Sequence, residues 1–173
     1  MSPTLTALLK KTYTKNDLHR RLRLMQECLE TVVYDEPEQI RITPAHVRRE
    51  RFIKEKAQAE DAAVLFDLDS TIWEGFNAKN LVSSIKALQS EIEQLPVITL
   101  YVPVHFTDVQ LAPIGEWARS NVASGMLFEV EVEPSVVGGC SFVYNGRHFD
   151  WSLRRYLRAQ RGLVTSLLNA YGE

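Results

Sequence analysis

Two aspartates separated by one residue, Asp67 and Asp69, have the spacing in this chain that first suggests chemistry. They follow the apolar run from Val64 to Phe66 and precede Ser70 and Thr71. Carboxylates this close together can act as nucleophile and as general acid or base, and can give oxygen ligands to a magnesium ion. The segment is therefore the first candidate for a catalytic site.

Residues 62 to 71 resemble the first motif of haloacid-dehalogenase-type phosphatases. The resemblance implies that Asp67 attacks phosphorus, that Asp69 handles the leaving-group proton and that Mg²⁺ screens the charge. The chemistry also needs a cation on the phosphate, but no lysine follows Lys86. We favour an alternative in which a helix ends here and the aspartates make turn or capping hydrogen bonds. The apolar side chains of the segment then lie in the core: Leu65, Phe66 and Leu68.

The other reactive side chains form no recognisable site. The four histidines have neither metal-ligand spacing nor a nucleophile motif beside them. Cys28 and Cys140 lie in unrelated segments, which favours reduced thiols. The pair Gly138-Gly139 lacks the lysine and hydroxyl of a phosphate loop, so we interpret it as a bulge or a tight chain crossing. We expect no catalytic residue, cofactor or metal.

The first 95 residues show helical periodicity. Apolar residues at helical spacing predict three helices: the first is capped by Asn16 or Asp17, the second is capped by Thr43 with Pro44 at its first position, and the third runs from Asn77 to Leu95. The second of these is strongly charged and is expected to run from Ala45 to about Ala63 with its charges in solvent. Because each apolar stripe needs a partner helix, we predict a small antiparallel bundle.

After Pro96 the pattern alternates between strand and helix. The predicted elements are strand Val97 to Phe106, helix Asp108 to Asn121, strand Met126 to Glu133, strand Ser141 to Phe149 and a final helix. Pro103 inside the first strand favours an edge position or a bulge. The predicted fold class is α+β, with a helical bundle domain over residues 1–95 and a β-α-β-β-α lobe over residues 96–173.

The most tightly specified segment extends from Glu129 to Leu157. Apolar and acidic residues alternate before Pro134, with the period of a half-buried strand. Asn145-Gly146 strongly indicates a tight hairpin turn. Asp150 and Ser152 can cap the helix that follows. None of these features indicates catalysis.

This segment resembles the end of the delta subunit of F-type ATP synthases, called the oligomycin-sensitivity-conferring subunit in mitochondria. That family has an acidic residue, often a proline, an apolar residue before a glycine pair, a short strand pair and an Asp-x-Ser-apolar helix start. The matching positions are Glu133, Pro134, Val137, Gly138, Gly139, Asp150, Ser152, Leu153 and Leu157. A V-type stalk subunit is a structural alternative, but the Asp150-x-Ser152 element favours the F-type family.

The resemblance implies a non-catalytic connector of a proton-translocating ATP synthase, which holds the catalytic head to the peripheral stalk and resists rotor torque. In this family the helical lobe binds N-terminal segments of the alpha subunits, and the C-terminal lobe binds the ends of the b subunits. The implied location is the cytoplasmic face of an energy-transducing membrane, with attachment only through the complex. An organelle counterpart is the alternative.

Composition and charge agree with a protein-binding role. The chain is 45% hydrophobic and 24% charged, as globular proteins are, and its net charge of -2 gives no reason to expect nucleic acid. No apolar run approaches the roughly 20 residues that span a bilayer. The last helix carries an arginine cluster without an acidic residue, which fits either an acidic partner or a solvated face. Its members are Arg154, Arg155, Arg158 and Arg161.

Overall fold

The computed structural model describes residues 1–34 and 42–171, in which the chain divides into two compact units, Met1–Pro96 and Val97–Glu173. Helices and a four-stranded mixed sheet make the protein an α+β structure, as the sequence predicts at that level. None of the helices within these residues combines the length and the apolar character that a membrane-crossing segment needs.

The first unit is helical in its described part. Its helices are α1 (Pro3–Leu9), α2 (Lys15–Val33), α3 (Ala45–Lys56), α4 (Ala59–Phe66), α5 (Ser70–Glu74) and α6 (Leu81–Glu93). The long helix α2 contacts α1, α3, α4 and α6. Its buried side chains repeat every three or four residues, so one face of α2 forms the centre of the core. They are Leu18, Arg21, Leu22, Met25, Cys28 and Leu29.

Helix starts in this unit differ from the prediction. Helix α2 is capped by Thr14, whose side chain accepts from the amide of Asp17, so neither Asn16 nor Asp17 is the cap. Thr43 does not cap α3, because Pro44 occupies the N-cap position without a side-chain hydrogen bond. Asn77 instead binds the amides of Lys79 and Asn80 in a turn, and α6 begins only after it.

The predicted helix from Ala45 to Ala63 is two helices. Ala57 adopts extended φ and ψ angles of -88° and 144°, which end α3 and let α4 begin with Glu60 and Asp61 in its first turn. Phe66 was expected in the core but is 45% exposed. The reason is its angular position, because α4 buries the side that carries Val64 and Leu65.

The second unit contains a sheet with strand order β2-β1-β3-β4. Its elements are β1 (Val97–Val102), α7 (Asp108–Asn121), β2 (Leu127–Val132), β3 (Gly139–Tyr144), β4 (Arg147–Ser152), α8 (Leu153–Ala159) and α9 (Arg161–Tyr171). Strand β1 pairs in parallel with β2 and antiparallel with β3, and β3 pairs antiparallel with β4. Helix α7 connects the two parallel strands, β1 and β2, and its buried residues include Leu111 and Ala118.

Three element boundaries in this unit correct the prediction. Strand β1 ends at Val102 and lies inside the sheet, so Pro103 follows the strand and marks neither an edge position nor a bulge. The segment from Ser141 to Phe149 is two strands separated by the predicted turn at Asn145-Gly146, and the second continues beyond the predicted end to Ser152. The final helix is interrupted at Gln160, which separates α8 from α9.

Candidate interaction site

The aspartates that first suggested catalysis lie in the turn between the helices α4 and α5. Asp67 is the C-cap residue of α4, and its carboxylate pairs with Lys11 Nζ at 3.1 Å, with both side chains more than half exposed. Asp69 is the N-cap of α5 and accepts from the amide and the hydroxyl of Thr71, each at 2.8 Å. These hydrogen bonds from Thr71 lower the pKa of Asp69.

Both aspartates lie between the helices α4 and α5, and neither follows a β-strand. Within residues 1–34 and 42–171, no three histidine, cysteine, aspartate or glutamate side chains form a group that could hold a metal ion. The geometry supports turn and capping roles for Asp67 and Asp69.

The glycine pair makes a close chain crossing. Gly138 and Gly139 have φ angles of 71° and 73°, a region that side-chain-bearing residues rarely adopt. A Cβ atom on Gly139 would lie 2.4 Å from the carbonyl oxygen of Trp151. The carbonyl of Gly138 accepts from the amide of Leu153 at 3.0 Å. The pair therefore fastens the start of β3 to the end of β4 and the start of α8.

The hairpin turn between β3 and β4 forms where the sequence predicts it. Asn145 and Gly146 both have positive φ angles, 49° and 70°, as a two-residue type I′ turn requires. The turn sets the register that pairs Phe142 with Phe149 and Cys140 with Trp151.

Asp150 and Ser152 have different roles at the start of α8. The hydroxyl of Ser152 accepts from the amide of Arg155 at 3.3 Å, so Ser152 is the N-cap, as predicted. Asp150 does not cap the helix, because its carboxylate accepts from the amide of Ser152 at 2.9 Å. The hydrogen bonds with Ser152 lower the pKa of Asp150. Since Ser152 is both the last residue of β4 and the helix cap, no loop separates strand from helix.

Three aromatic rings lie together across β3 and β4. The ring of Phe142 stacks on Phe149 at a centroid distance of 4.9 Å and meets Trp151 edge-on at 5.2 Å. Strand alternation places all three on one face of the sheet. Trp151 is nonetheless 69% exposed, so most of this residue faces solvent.

Helix α8 exposes every one of its side chains. Leu153 and Leu157 form one row at a spacing of four residues, and Arg154 and Arg158 form the neighbouring row. Arg155 is held apart from them, because its guanidinium donates to the carbonyl of Asp150 at 2.9 Å. The fourth predicted arginine, Arg161, is the first residue of α9. The structure thus places the predicted cluster on two helices.

A partly apolar groove of about 380 Å³ lies in the helical unit. It is lined by residues that include Cys28, Leu29, Trp73 and Phe76. The guanidinium of Arg49 lies 4.8 Å from the centroid of the Trp73 ring. Burial raises the pKa of Cys28 to about 11, so its thiol stays protonated at neutral pH.

A buried ion cluster lies in the helical unit. It was not predicted, because the charges of this segment were expected to lie in solvent. The carboxylate of Asp61 binds Arg20 Nε at 2.7 Å and Arg21 Nε at 2.9 Å. Asp61 and Arg21 side chains are each 1% exposed. One sequence signal could have found it, because Asp61 lies three and four residues before Val64 and Leu65, on the apolar side of α4.

No protein-family model and no curated protein matches this chain.

Proposed function

We propose that this protein is a peripheral-stalk connector of a proton-translocating F-type ATP synthase. It joins the catalytic head to the b subunits of the stalk and resists rotor torque without performing a chemical step. One observation supports the proposal: five of the nine residues that resemble the delta subunit family meet in one structural unit, namely Gly138, Gly139, Asp150, Ser152 and Leu153.

That unit is the junction between β4 and α8. The backbone of Gly139 passes so close to Trp151 that no Cβ fits, and Gly138 accepts from the amide of Leu153. Asp150 holds the amide of Ser152, whose hydroxyl caps the helix. Because these contacts join the glycine pair to Trp151 and Leu153, the spacing between the pair and the helix start has a physical reason. A helix that leaves a sheet without a loop suits a protein that must carry load.

Each partner that the resemblance implies is assigned to one of the two units. We assign alpha-subunit binding to the helical bundle, residues 1–95, where the groove beside Trp73 offers an apolar surface. We assign b-subunit binding to the C-terminal lobe, residues 96–173, whose elements follow the order β-α-β-β-β-α-α, through the exposed side chains of α8. The location that follows is peripheral, on the cytoplasmic face of an energy-transducing membrane, through the complex alone.

A magnesium-dependent phosphatase using Asp67 and Asp69 is the alternative, and no observation favours it. Asp67 pairs with Lys11, and Asp69 caps α5. A phosphatase assay on the purified protein is decisive here. Hydrolysis of a generic phosphomonoester with Mg²⁺, abolished by Asp67→Asn, would contradict the connector proposal.

Co-purification tests the connector directly. The tagged full-length protein is expressed in its own cells, and membranes are solubilised in mild detergent. We expect catalytic-head and b subunits to co-purify, with Asp67→Asn as a matched control that retains them. Leu157→Asp places a charge in the exposed apolar row of α8 and should lose the b subunits. A folded wild-type protein that captures no ATP synthase subunit would refute the proposal.

A further inference from the structure

We propose that α8 and Trp151 form a docking surface for an amphipathic helix with acidic residues four apart beside an apolar row. We call this the arginine surface, defined by Trp151, Leu153, Arg154, Leu157 and Arg158. Identifying the helix as part of a b subunit depends on the proposed function. The recognition chemistry itself depends only on the residues of the surface.

The two rows of α8 provide the shape. Leu153 and Leu157 are 45% and 44% exposed, and the arginine row lies directly beside them. Residues four apart on a helix are neighbours, so each row runs along the helix axis. A partner helix lying along α8 would cover the leucines and bring its flanking carboxylates to the guanidinium groups of Arg154 and Arg158.

Charge indicates the sign of the partner. Residues 97 to 150 contain six acidic and two basic residues, whereas residues 151 to 172 contain four arginines and no acidic residue. Within the described part of the chain, no hydrogen bond or ion pair engages the side chain of Arg154 or Arg158. Two adjacent exposed cations beside apolar side chains are complementary to an acidic amphipathic helix.

The residue types favour a protein partner over a lipid surface. Every cation after Lys86 is an arginine, whose planar group binds carboxylates in bidentate fashion and is enriched at protein interfaces. Trp151 packs against the edge of Phe142 and is 69% exposed, and tryptophan is among the residues that contribute most to binding at protein interfaces. The apolar row of α8 consists of two leucines. This row can contact one partner helix, but it is a small surface for insertion into a bilayer.

Peptide binding to the full-length protein tests the surface. The probe is a fluorescent synthetic helix of about five turns with a leucine row and glutamates four apart beside it. A matched peptide carries glutamine at each glutamate position. We expect the acidic peptide to bind about tenfold more tightly at low salt, and rising salt to remove the difference.

Two double variants locate the binding. Arg154→Gln with Arg158→Gln should weaken binding of the acidic peptide about tenfold, while binding of the glutamine peptide stays unchanged. Arg23→Gln with Arg147→Gln is the control, because it removes the same net charge from exposed positions elsewhere. Circular dichroism and thermal unfolding of each variant establish that its fold is retained. An affinity for the acidic peptide that is equal in both double variants would overturn the proposal.

Other occupants give different results. Binding to phosphatidylserine vesicles with no affinity for the acidic peptide would assign the surface to lipid and overturn the proposal. Self-association that disappears in the Arg154→Gln, Arg158→Gln variant, without peptide binding, would assign it to a second copy. If the wild type binds the acidic peptide but captures no ATP synthase, the connector function fails and the surface stands. If the double variant captures b subunits as well as the wild type does, the surface fails and the function stands.

Discussion

At the scale of single residues, Asp61 shows how one carboxylate organises the helical unit. Arg20 and Arg21 on α2 both bind it, and Arg21 also donates to the carbonyl of Lys11 and to the hydroxyl of Thr12. The cluster thus joins the end of α1 to α2 and α4. A buried charge is costly unless it is paired and hydrogen-bonded. Removing one member of the cluster therefore leaves the remaining charges buried without their partner, which destabilises the fold.

Asp61→Asn should lower the free energy of unfolding by about 3–5 kcal/mol, because it removes the carboxylate that offsets the buried charge of Arg21. Asp67→Asn is the control, since it disrupts an exposed pair with Lys11 and should cost about 1 kcal/mol or less. Urea unfolding followed by circular dichroism measures both. Equal costs for the two substitutions would show that the cluster is not a stabilising element.

Gly139→Ala should destabilise the second unit by about 3 kcal/mol, because positive φ costs about 1–2 kcal/mol and steric overlap adds about 1–3 kcal/mol. Gly146→Ala is the matched control, with a φ of 70° but no heavy atom within 4 Å of the added Cβ. It should cost about 1–2 kcal/mol from φ alone. The measurement is the unfolding free energy, with hydrogen exchange over residues 139–152 to locate the change. A cost for Gly139→Ala no larger than the control would contradict the close crossing.

At the scale of elements, the helix and turn boundaries that were predicted correctly are those determined by residues close together in the sequence. Helix α7 runs over the predicted residues because Thr107 and Gln110 form a capping box within one turn. The turn at Asn145-Gly146 was likewise predicted from two residues. The break at Ala57 has no glycine or proline to announce it.

Boundaries fixed by tertiary structure were harder to predict. The end of β1 at Val102 depends on its place between two other strands, which periodicity does not reveal. For the candidate site, the glycine pair and the Ser152 cap were predictable from residue types. The link between them was not, because it requires β3 and β4 to be paired.

Ser152→Ala should destabilise α8 by about 1 kcal/mol, because the amide of Arg155 loses its acceptor. Hydrogen exchange of the first turn of α8 should become faster. Ser152→Thr keeps a hydroxyl at the cap and should retain most of the protection. If alanine and threonine exchange alike, the hydroxyl does not secure the helix.

At the scale of the whole molecule, the carboxylates with lowered pKa values predict acid sensitivity. Burial alone would raise the pKa of Asp61, but hydrogen bonds from Arg20 and Arg21 outweigh it and lower the pKa. The pKa values of Asp69, Glu133 and Asp150 are also lowered, chiefly by hydrogen bonds from nearby residues. A carboxylate with a lowered folded-state pKa stabilises the protein above its unfolded pKa, and that stability is lost as pH falls through the folded value.

We therefore expect unfolding free energy to be insensitive to these groups above the ordinary aspartate pKa of about 4 and to fall below it. Urea unfolding at a series of pH values measures the slope. Asp61→Asn should reduce the acid dependence, since one of the protons taken up on unfolding is removed. An unchanged slope in that variant would place the acid sensitivity elsewhere.

The direct passage from β4 into α8 has a mechanical consequence. The six register pairs between β3 and β4 run from Gly139 opposite Ser152 to Tyr144 opposite Arg147. A pull on α8 along the strand axis loads these pairs in shear and shares the force among them. A pull across the sheet loads the pair at Ser152 first, so the pairs of the hairpin separate one after another. The protein should therefore be stiff in one direction and compliant in another, and its rupture force in single-molecule pulling should depend on the direction of the load.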